Sequence, residues 1–362
     1  MAAIDLFAPY TLGLLKLRNR FVRSATTSAW ADGHGIVGPE IVGRYGELAR
    51  GEVGLIIKGH LYVDPKGKAH AGMAGASDDA HISGLAQVTG AVHGSGGAIV
   101  AQINHGGWEA EAGERMGPSA VETQEWRARA MDAGEIREAV GAFGEAARRC
   151  LDAGFDGVQI HAAHGYLMSQ FLSRLANRRT DEWGGSLTNR ARLLREVYLE
   201  IRSYLGDDVP VGVKLNCDDF SEDGFTVEEA AEVAGELARF GADFIEVSGG
   251  GFGEQARCRQ RARANDPALA EVSFAGHCAR IRQATGGTPL ALVDGFSNLA
   301  AMQAVVQSGL ADLVSLSRPL IRERDLVTKL AAGQAEATCT RCDGCHDCFG
   351  VAMLRCTLDE PL

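Results

Sequence analysis

Three side chains within six positions, His161, His164 and Tyr166, could do acid–base and hydrogen-bonding chemistry together. They open the run HAAHGYLMSQFLSRLANRRTDEWGGSLTNRARLL (His161–Leu194) and directly follow the apolar stretch Gly157–Ile160. Such a density of polar side chains is poor core material and reads as the rim of a binding site. Residues three apart on a helical turn can face the same way. Two imidazoles could therefore converge on one carbonyl oxygen and stabilise the negative charge that develops there. A phenol stays protonated at pH 7 and could supply a proton from another side. The same residues carry two other readings. His-x-x-His could ligate a metal, although no third ligand stands at a suitable spacing and the neighbours are apolar. Either histidine could instead be a satisfied core residue.

The elements that must hold these residues recur regularly. Apolar runs of strand length fall at Phe21–Ala25, Gly54–Lys58, Ala98–Asn104, Gly157–His161, Val209–Leu215, Phe244–Val247, Leu290–Val293 and Leu313–Leu316. Helix-like stretches follow at Pro39–Arg50, His81–Ser95, Gly134–Ala153, Leu187–Tyr204, Thr226–Phe240, Ala268–Ala284, Asn298–Ser308 and Leu320–Ala332. In the third of these, Ile136, Val140, Phe143 and Ala147 stand at helical spacing. Continuous apolar runs are what parallel strands buried on both faces look like. Eight alternating units predict the α/β class and a (β/α)8 TIM barrel, residues 1–335, with a short cysteine-rich C-terminal tail, residues 336–362.

A barrel keeps its chemistry at the C-terminal mouth, and here every strand run ends in polar or glycine residues. These are Ser24–Thr27, Lys58–His60, Gln102–His105, His161–His164, Lys214–Asn216, Ser248–Gly251, Asp294–Gly295 and Ser317–Arg318. Arranged round one mouth, they would form a polar ring able to clasp a heterocycle. Glycine at the end of the seventh strand and arginine at the end of the eighth suit a phosphate, because glycine lets backbone N–H groups approach and arginine binds it bidentately. Gly295 and Arg318 stand at those places; taken singly, each reads as a chain turn or a surface ion pair. Lys214, at the end of the fifth run, would also permit a lyase or aldolase using a Schiff-base amine.

Composition narrows the partners. The net charge of −11 argues against nucleic acid and against an anionic membrane surface. No apolar run approaches the ~18 residues needed to cross a bilayer. The start, MAAIDLFAPYTLG, lacks the basic-then-apolar pattern of a secretion signal. Nine cysteines is an odd number, and five of them (Cys339, Cys342, Cys345, Cys348, Cys356) crowd the last 24 residues. That is not a disulfide framework, and it points to a reducing cytoplasm.

Taken together, HAAHGYL, N-x-R-T-D-E-W-G-G-S, LRNRFVRSATTS (Leu17–Ser28) and ADLVSLSRPLI (Ala311–Ile321) resemble the Old Yellow Enzyme family of FMN-dependent ene-reductases. The resemblance is to the branch containing the FMN domain of 2,4-dienoyl-CoA reductase and trimethylamine dehydrogenase. It implies NAD(P)H as electron donor and a small enone or related compound as substrate. It also implies an FMN site built from Ser24, Ala25, Thr26, Thr27, Lys58, Gly59, Gln102, Lys214, Gly250, Gly295, Ser317 and Arg318. In that site the Gln102 amide suits the mixed donor–acceptor edge of the flavin pyrimidine, Lys214 balances the negative charge of a reduced flavin, and Thr27 faces flavin O4. His161 and His164 would hold the substrate carbonyl and Tyr166 would protonate the α-carbon.

The same branch implies a [4Fe–4S] cluster on Cys339, Cys342, Cys345 and Cys356. Cys-x2-Cys-x2-Cys is a compact cluster loop, while four-thiolate zinc and a metal-free loop remain alternatives. The cluster-bearing relatives continue into FAD- and nucleotide-binding domains, whereas this chain stops at Leu362. A cluster would then call for an external electron-donor protein, and amine dehydrogenation or demethylation is the alternative activity. A homo-oligomer is compatible with the resemblance. Departures from the branch are the lack of a histidine in SGGGFGEQARC (Ser248–Cys258), which speaks against dienoyl-CoA reduction, Ser317 in place of glycine, and His60 in place of a small residue. The aromatic and arginine residues that some relatives send into a neighbour's site are not recognisable. The RLANRRTDEWGGS segment (Arg174–Ser186) is expected to be structural, with Arg179 and Asp181 as a charged pair and Gly184–Gly185 as a tight turn. Gly107–Ala133 is expected to be the loop that sets substrate preference.

Overall fold

The computed structural model describes residues 4–250, 269–345 and 354–358. Eight parallel strands close into a barrel in sequence order: β1 (Phe21–Arg23), β2 (Leu55–Tyr62), β3 (Ala98–Asn104), β4 (Gly157–Ala162), β5 (Val211–Asn216), β6 (Phe244–Ser248), β7 (Leu290–Val293) and β8 (Leu313–Leu316). β8 pairs back onto β1, with Val314 opposite Phe21 and Ser315 opposite Val22. All eight strands are buried along their whole length, as the continuous apolar runs require. This is the expected (β/α)8 barrel.

The outer layer contains α1 (Pro39–Arg50), α2 (Ala80–His93), α3 (Ala133–Asp152), α4 (Arg192–Leu205), α5 (Val227–Arg239), α6 (Ala275–Thr285), α7 (Leu299–Gln307) and α8 (Leu326–Ala331). Local signals set their starts. Asp132 with Glu135 and Thr226 with Glu229 form capping boxes at α3 and α5, and proline opens α1. In α3, Ile136, Phe143 and Ala147 are buried and Val140 packs beside them.

Two expected helices are each divided. Leu187–Tyr204 breaks at Ala191 into a short turn, Leu187–Arg190, and α4. Leu320–Ala332 becomes Arg318–Arg322 followed by α8, because the chain leaves helical geometry at Glu323. α6 begins at Ala275; the expected start at Ala268, together with Gly251, most of SGGGFGEQARC, and Cys258 and Cys348, lies outside the described residues.

An unanticipated hairpin, Tyr10–Leu12 with Leu15–Leu17, closes the N-terminal end of the barrel. Its Leu12 and Leu17 join Val22, Leu55, Ile57, Val100, Phe244 and Leu313 in a separate apolar cluster. The barrel interior is thus apolar at the bottom. Above this plug the inward side chains become polar, and there the site begins.

Candidate active site

A cavity of about 420 Å³ opens at the C-terminal mouth. It is lined by Ser24, Ala25, Thr26 and Thr27 after β1, Gln102 of β3, His161, His164 and Tyr166 at the end of β4, Lys214 of β5, and Ser317 and Arg318 after β8. Eleven of the fifteen expected catalytic and cofactor residues therefore meet in one place.

Four do not line the cavity, and strand geometry gives the reasons. Side chains alternate along a strand, so with Leu55 and Ile57 facing the barrel interior, Lys58 faces the helices. Its ammonium lies 5.6 Å from the Tyr45 ring of α1 and 3.4 Å from the carbonyl of Gly59. Burial there lowers its pKa to about 8. Gly59 serves packing, since a Cβ would stand 2.5 Å from Ala25 Cβ. Gly250 has φ +86° and gives its N–H to Asp218, while its neighbour Gly249 lines the cavity. Gly295 has φ +91°, and a Cβ would sit 1.9 Å from the Glu271 carbonyl, so glycine is needed there for the turn itself.

The lining is sorted by chemistry. At the β8–β1 side the Ser317 and Thr26 hydroxyls are 2.9 Å apart, and the Arg318 guanidinium reaches Asp294 Oδ1 at 2.8 Å and also Asp343. On the floor, Lys214 Nζ donates to Ser24 Oγ at 2.8 Å and lies 3.4 Å from Glu246 Oε2. Gln102 Nε2 donates to Gln159 Oε1 at 2.7 Å. Gln159 Nε2 in turn donates to Glu246 Oε2 at 3.0 Å, and Ser315 Oγ donates to Glu246 Oε1 at 2.5 Å. All six of these floor residues are buried.

The wall is aromatic and protic. The His161 ring lies 5.1 Å from His164 and 4.9 Å from Tyr166, centre to centre. The Nδ1 of His161 accepts the Ala163 N–H at 3.3 Å, which leaves the ring proton on Nε2. Burial, then the neighbouring His164, His60 and Lys214, holds the His161 pKa well below the usual range, so the ring is neutral near pH 7. Burial, then the Glu109 and Glu111 carboxylates, pushes the Tyr166 pKa upward. His164 has φ +61°, an uncommon conformation for a residue with a side chain. Its Nε2 lies 2.7 Å from Ser248 Oγ.

His60, Ser248, Gly249 and Asp294 belong to the predicted polar ring without an assigned role, and they line the cavity; Gln159, Glu246 and Ser315 were not anticipated. A register shift between Lys58 and Leu61 at the end of β2 turns His60 toward the wall, where its ring sits 5.1 Å from Tyr166. The Asn104 amide donates to His60 Nδ1 at 2.8 Å, and burial lowers the His60 pKa well below normal. Gln159, Glu246 and Ser315 lie beneath the cavity; each stands two residues before a polar strand end, and that spacing was the available signal. Ser248, Gly249, Phe274, Val293, Asp294, Ile321, Cys345 and Leu354 complete the lining.

The Arg174–Ser186 segment is structural, as its composition suggested. Arg179 pairs with Asp181 at 2.6 Å and donates to the carbonyls of Pro118 and Met131, clamping the mouth segment. Buried Arg190 reaches Glu229 of α5 at 2.5 Å. Residues 107–133 are not a bare loop: Met116–Gly117, Val121–Glu122 and Arg127–Ala130 form a small sheet.

Cys339, Cys342, Cys345 and Cys356 line a second recess of about 20 Å³ beside Arg318. All four are free thiols. Among the described residues no three His, Cys, Asp or Glu are grouped to hold one metal ion. Also among the described residues, no helix is long and apolar enough to cross a membrane.

The profile of the NADH:flavin oxidoreductase / NADH oxidase family matches residues 5–337. The chain is 36% identical to an NADPH dehydrogenase of Geobacillus thermodenitrificans, over 88% of this chain and 91% of that protein. It is 30% identical to an NADH oxidase of Thermoanaerobacter brockii over 98% of this chain, but spans only 56% of that protein's length. Among solved structures it resembles a 2-naphthoyl-CoA reductase in complex with 2-naphthoyl-CoA, with TM-score 0.89 and 28% identity, over 97% of this chain and 56% of the other.

Proposed function

The chain belongs to the NADH:flavin oxidoreductase / NADH oxidase family, and on that premise we propose that it is an FMN-dependent ene-reductase. It would use NAD(P)H to reduce the C=C bond of a small α,β-unsaturated carbonyl compound. The observation that carries this reading is the convergence on one cavity of an anion-binding side, a floor of amide and ammonium, and a protic wall. Those three chemistries fit a phosphorylated heterocycle with an unsaturated carbonyl laid against it.

FMN, when bound, would supply the two-electron redox chemistry that links NAD(P)H to the C=C bond. Arg318, Ser317 and Thr26 would hold its phosphate, with Asp294 keeping the guanidinium in place from behind. Gln102 and Lys214 would meet the ring, the lysine favouring negative charge on it. His161 donates from Nε2 to the substrate carbonyl oxygen and stabilises the charge that builds there. A neutral imidazole suits this role, since it donates without losing its proton. His164 is held by Ser248 and supports the same oxygen. Tyr166, kept protonated by burial, gives its proton to the α-carbon. Anaerobic incubation with NAD(P)H and 2-cyclohexenone tests the reading. One saturated ketone per nicotinamide consumed supports it; reduction of the flavin without ketone formation contradicts it.

We further propose a division into a barrel, residues 1–335, and a tail, residues 336–362, whose Cys339, Cys342, Cys345 and Cys356 hold a [4Fe–4S] cluster. The reading rests on the Cys-x2-Cys-x2-Cys spacing, with all four cysteines lining one recess. The cluster would supply one-electron transfer from an external donor protein. Iron and sulfide analysis of anaerobically purified protein tests it, with both expected to fall to background in Cys342→Ser. The described cysteines are all free, which suits the reducing cytoplasm as its compartment.

A further inference from the structure

Beneath the cavity, the polar floor has a direction. We propose that Glu246 is the positioning residue of the cofactor site: its carboxylate fixes which way the Gln159 and Gln102 amides face, and so which end of Gln102 the cofactor meets. The inference rests on the FMN reading and deepens it.

A carboxylate accepts hydrogen bonds and has none to give. Three donors converge on Glu246, namely the Gln159 amide at 3.0 Å, the Ser315 hydroxyl at 2.5 Å and the Lys214 ammonium at 3.4 Å. Gln159 must therefore turn its NH2 toward Glu246, which leaves its carbonyl oxygen for Gln102. Gln102 must turn its own NH2 toward that oxygen, at 2.7 Å. What remains on the cavity side of Gln102 is the carbonyl oxygen Oε1, an acceptor. The consequence is a defined partner for the N–H in the flavin pyrimidine ring. Glu246 is 0% exposed and Gln159 is 0% exposed, so bulk water does not reach a misdirected amide.

Glu246 also sits against Lys214, the cation on the same floor. Its negative charge offsets part of the lysine's field at the cavity, which lowers the affinity of that floor for added negative charge. Orientation and charge therefore have one source, a residue three strands away from Gln102 that does not itself line the cavity.

Glu246→Gln places an amide NH2 where only an acceptor stood. That NH2 settles on Ser315, whose hydroxyl can accept as well as donate, while the amide oxygen keeps Gln159 and Lys214, so the relay holds and only the charge is lost. FMN binding to apoprotein, followed by fluorescence, should change little in Glu246→Gln and weaken about tenfold in Glu246→Met, which removes the acceptor that orients Gln159, the scale of one lost buried hydrogen bond. The midpoint potential of bound FMN should rise, because negative charge has been removed beside it. Gln159→Met cuts the relay without altering any charge and keeps the test alive if Glu246→Gln does not fold. It should weaken FMN binding in the wild-type background and have little effect when Gln102 is already methionine. Additive losses in the Gln102→Met background would overturn the inference, as would Gln159→Met binding FMN as wild type does. A wild-type chain that takes up no FMN would instead overturn the flavin reading, and this inference with it.

Discussion

Replacing Tyr166 by phenylalanine isolates one oxygen atom. The ring stays packed against Tyr62, Ala69 and Met73, so the fold should be preserved. What is lost is the proton donor beside His161, whose ring is 4.9 Å away. A positioned general acid contributes about 10²–10⁴ in rate, or about 3 to 5 kcal/mol of barrier. Hydride transfer from NAD(P)H needs no proton from Tyr166, so only alkene reduction should slow. Burial raises the phenol pKa from its usual value near 10. Tyr166 is then protonated throughout the working range, and it should cause no falling limb in the wild-type profile below pH ~10. Stopped-flow spectroscopy separates the two half-reactions, and NAD(P)H oxidation by O2 serves as a control. Expected is a loss of at least about 100-fold in alkene reduction, with the control almost unchanged. Equal slowing of both half-reactions, or of neither, would refute the assignment.

Arg318→Ala should weaken FMN by about 10- to 100-fold, the scale of a lost charge-assisted hydrogen bond, yet leave riboflavin binding nearly unchanged; paired titrations of the two ligands check this. Lys214→Met leaves the fully buried Glu246 without its cation. Such a loss costs about 3–5 kcal/mol, visible as a lower unfolding temperature by calorimetry, and weaker FMN binding should accompany it. Asp219 is buried, which first and foremost raises its pKa to about 6, assisted by Asp218 and opposed by hydrogen bonds from Ser173, Phe225 and Asn216. Between the unfolded value of about 4 and the folded value the native state binds the extra proton, so stability is fully present below that window and declines as pH rises through it. Asp219→Asn should remove that slope in urea denaturation at pH ~4.5, ~5.5 and ~7, by an amount on the order of 3 kcal/mol.

The barrel was readable because parallel strands buried on both faces leave continuous apolar runs. β3, β7 and β8 have the bounds their runs suggested. The rim residues were readable from polarity at strand ends. Lys58 was misplaced by the same rule, since a position at a strand end does not say which face it occupies; alternation with Leu55 and Ile57 does. His60 was in the predicted ring, but its turning inward while Lys58 faces out depends on the register shift in β2, which no local residue pattern announces. The floor was missed because Gln159, Glu246 and Ser315 sit inside apolar runs, where a lone polar residue reads as noise. Only closure of the barrel brings them within hydrogen-bonding distance. The hairpin at Tyr10–Leu17 escaped because strands of three residues carry too little periodicity.

Anaerobic titration of the purified chain with FMN, followed by NAD(P)H, tests the central claim most directly. The account predicts one FMN per chain, a flavin spectrum perturbed on binding, and complete bleaching by the nicotinamide with reoxidation by an enone. A chain that leaves FMN free in solution at micromolar concentration would contradict it.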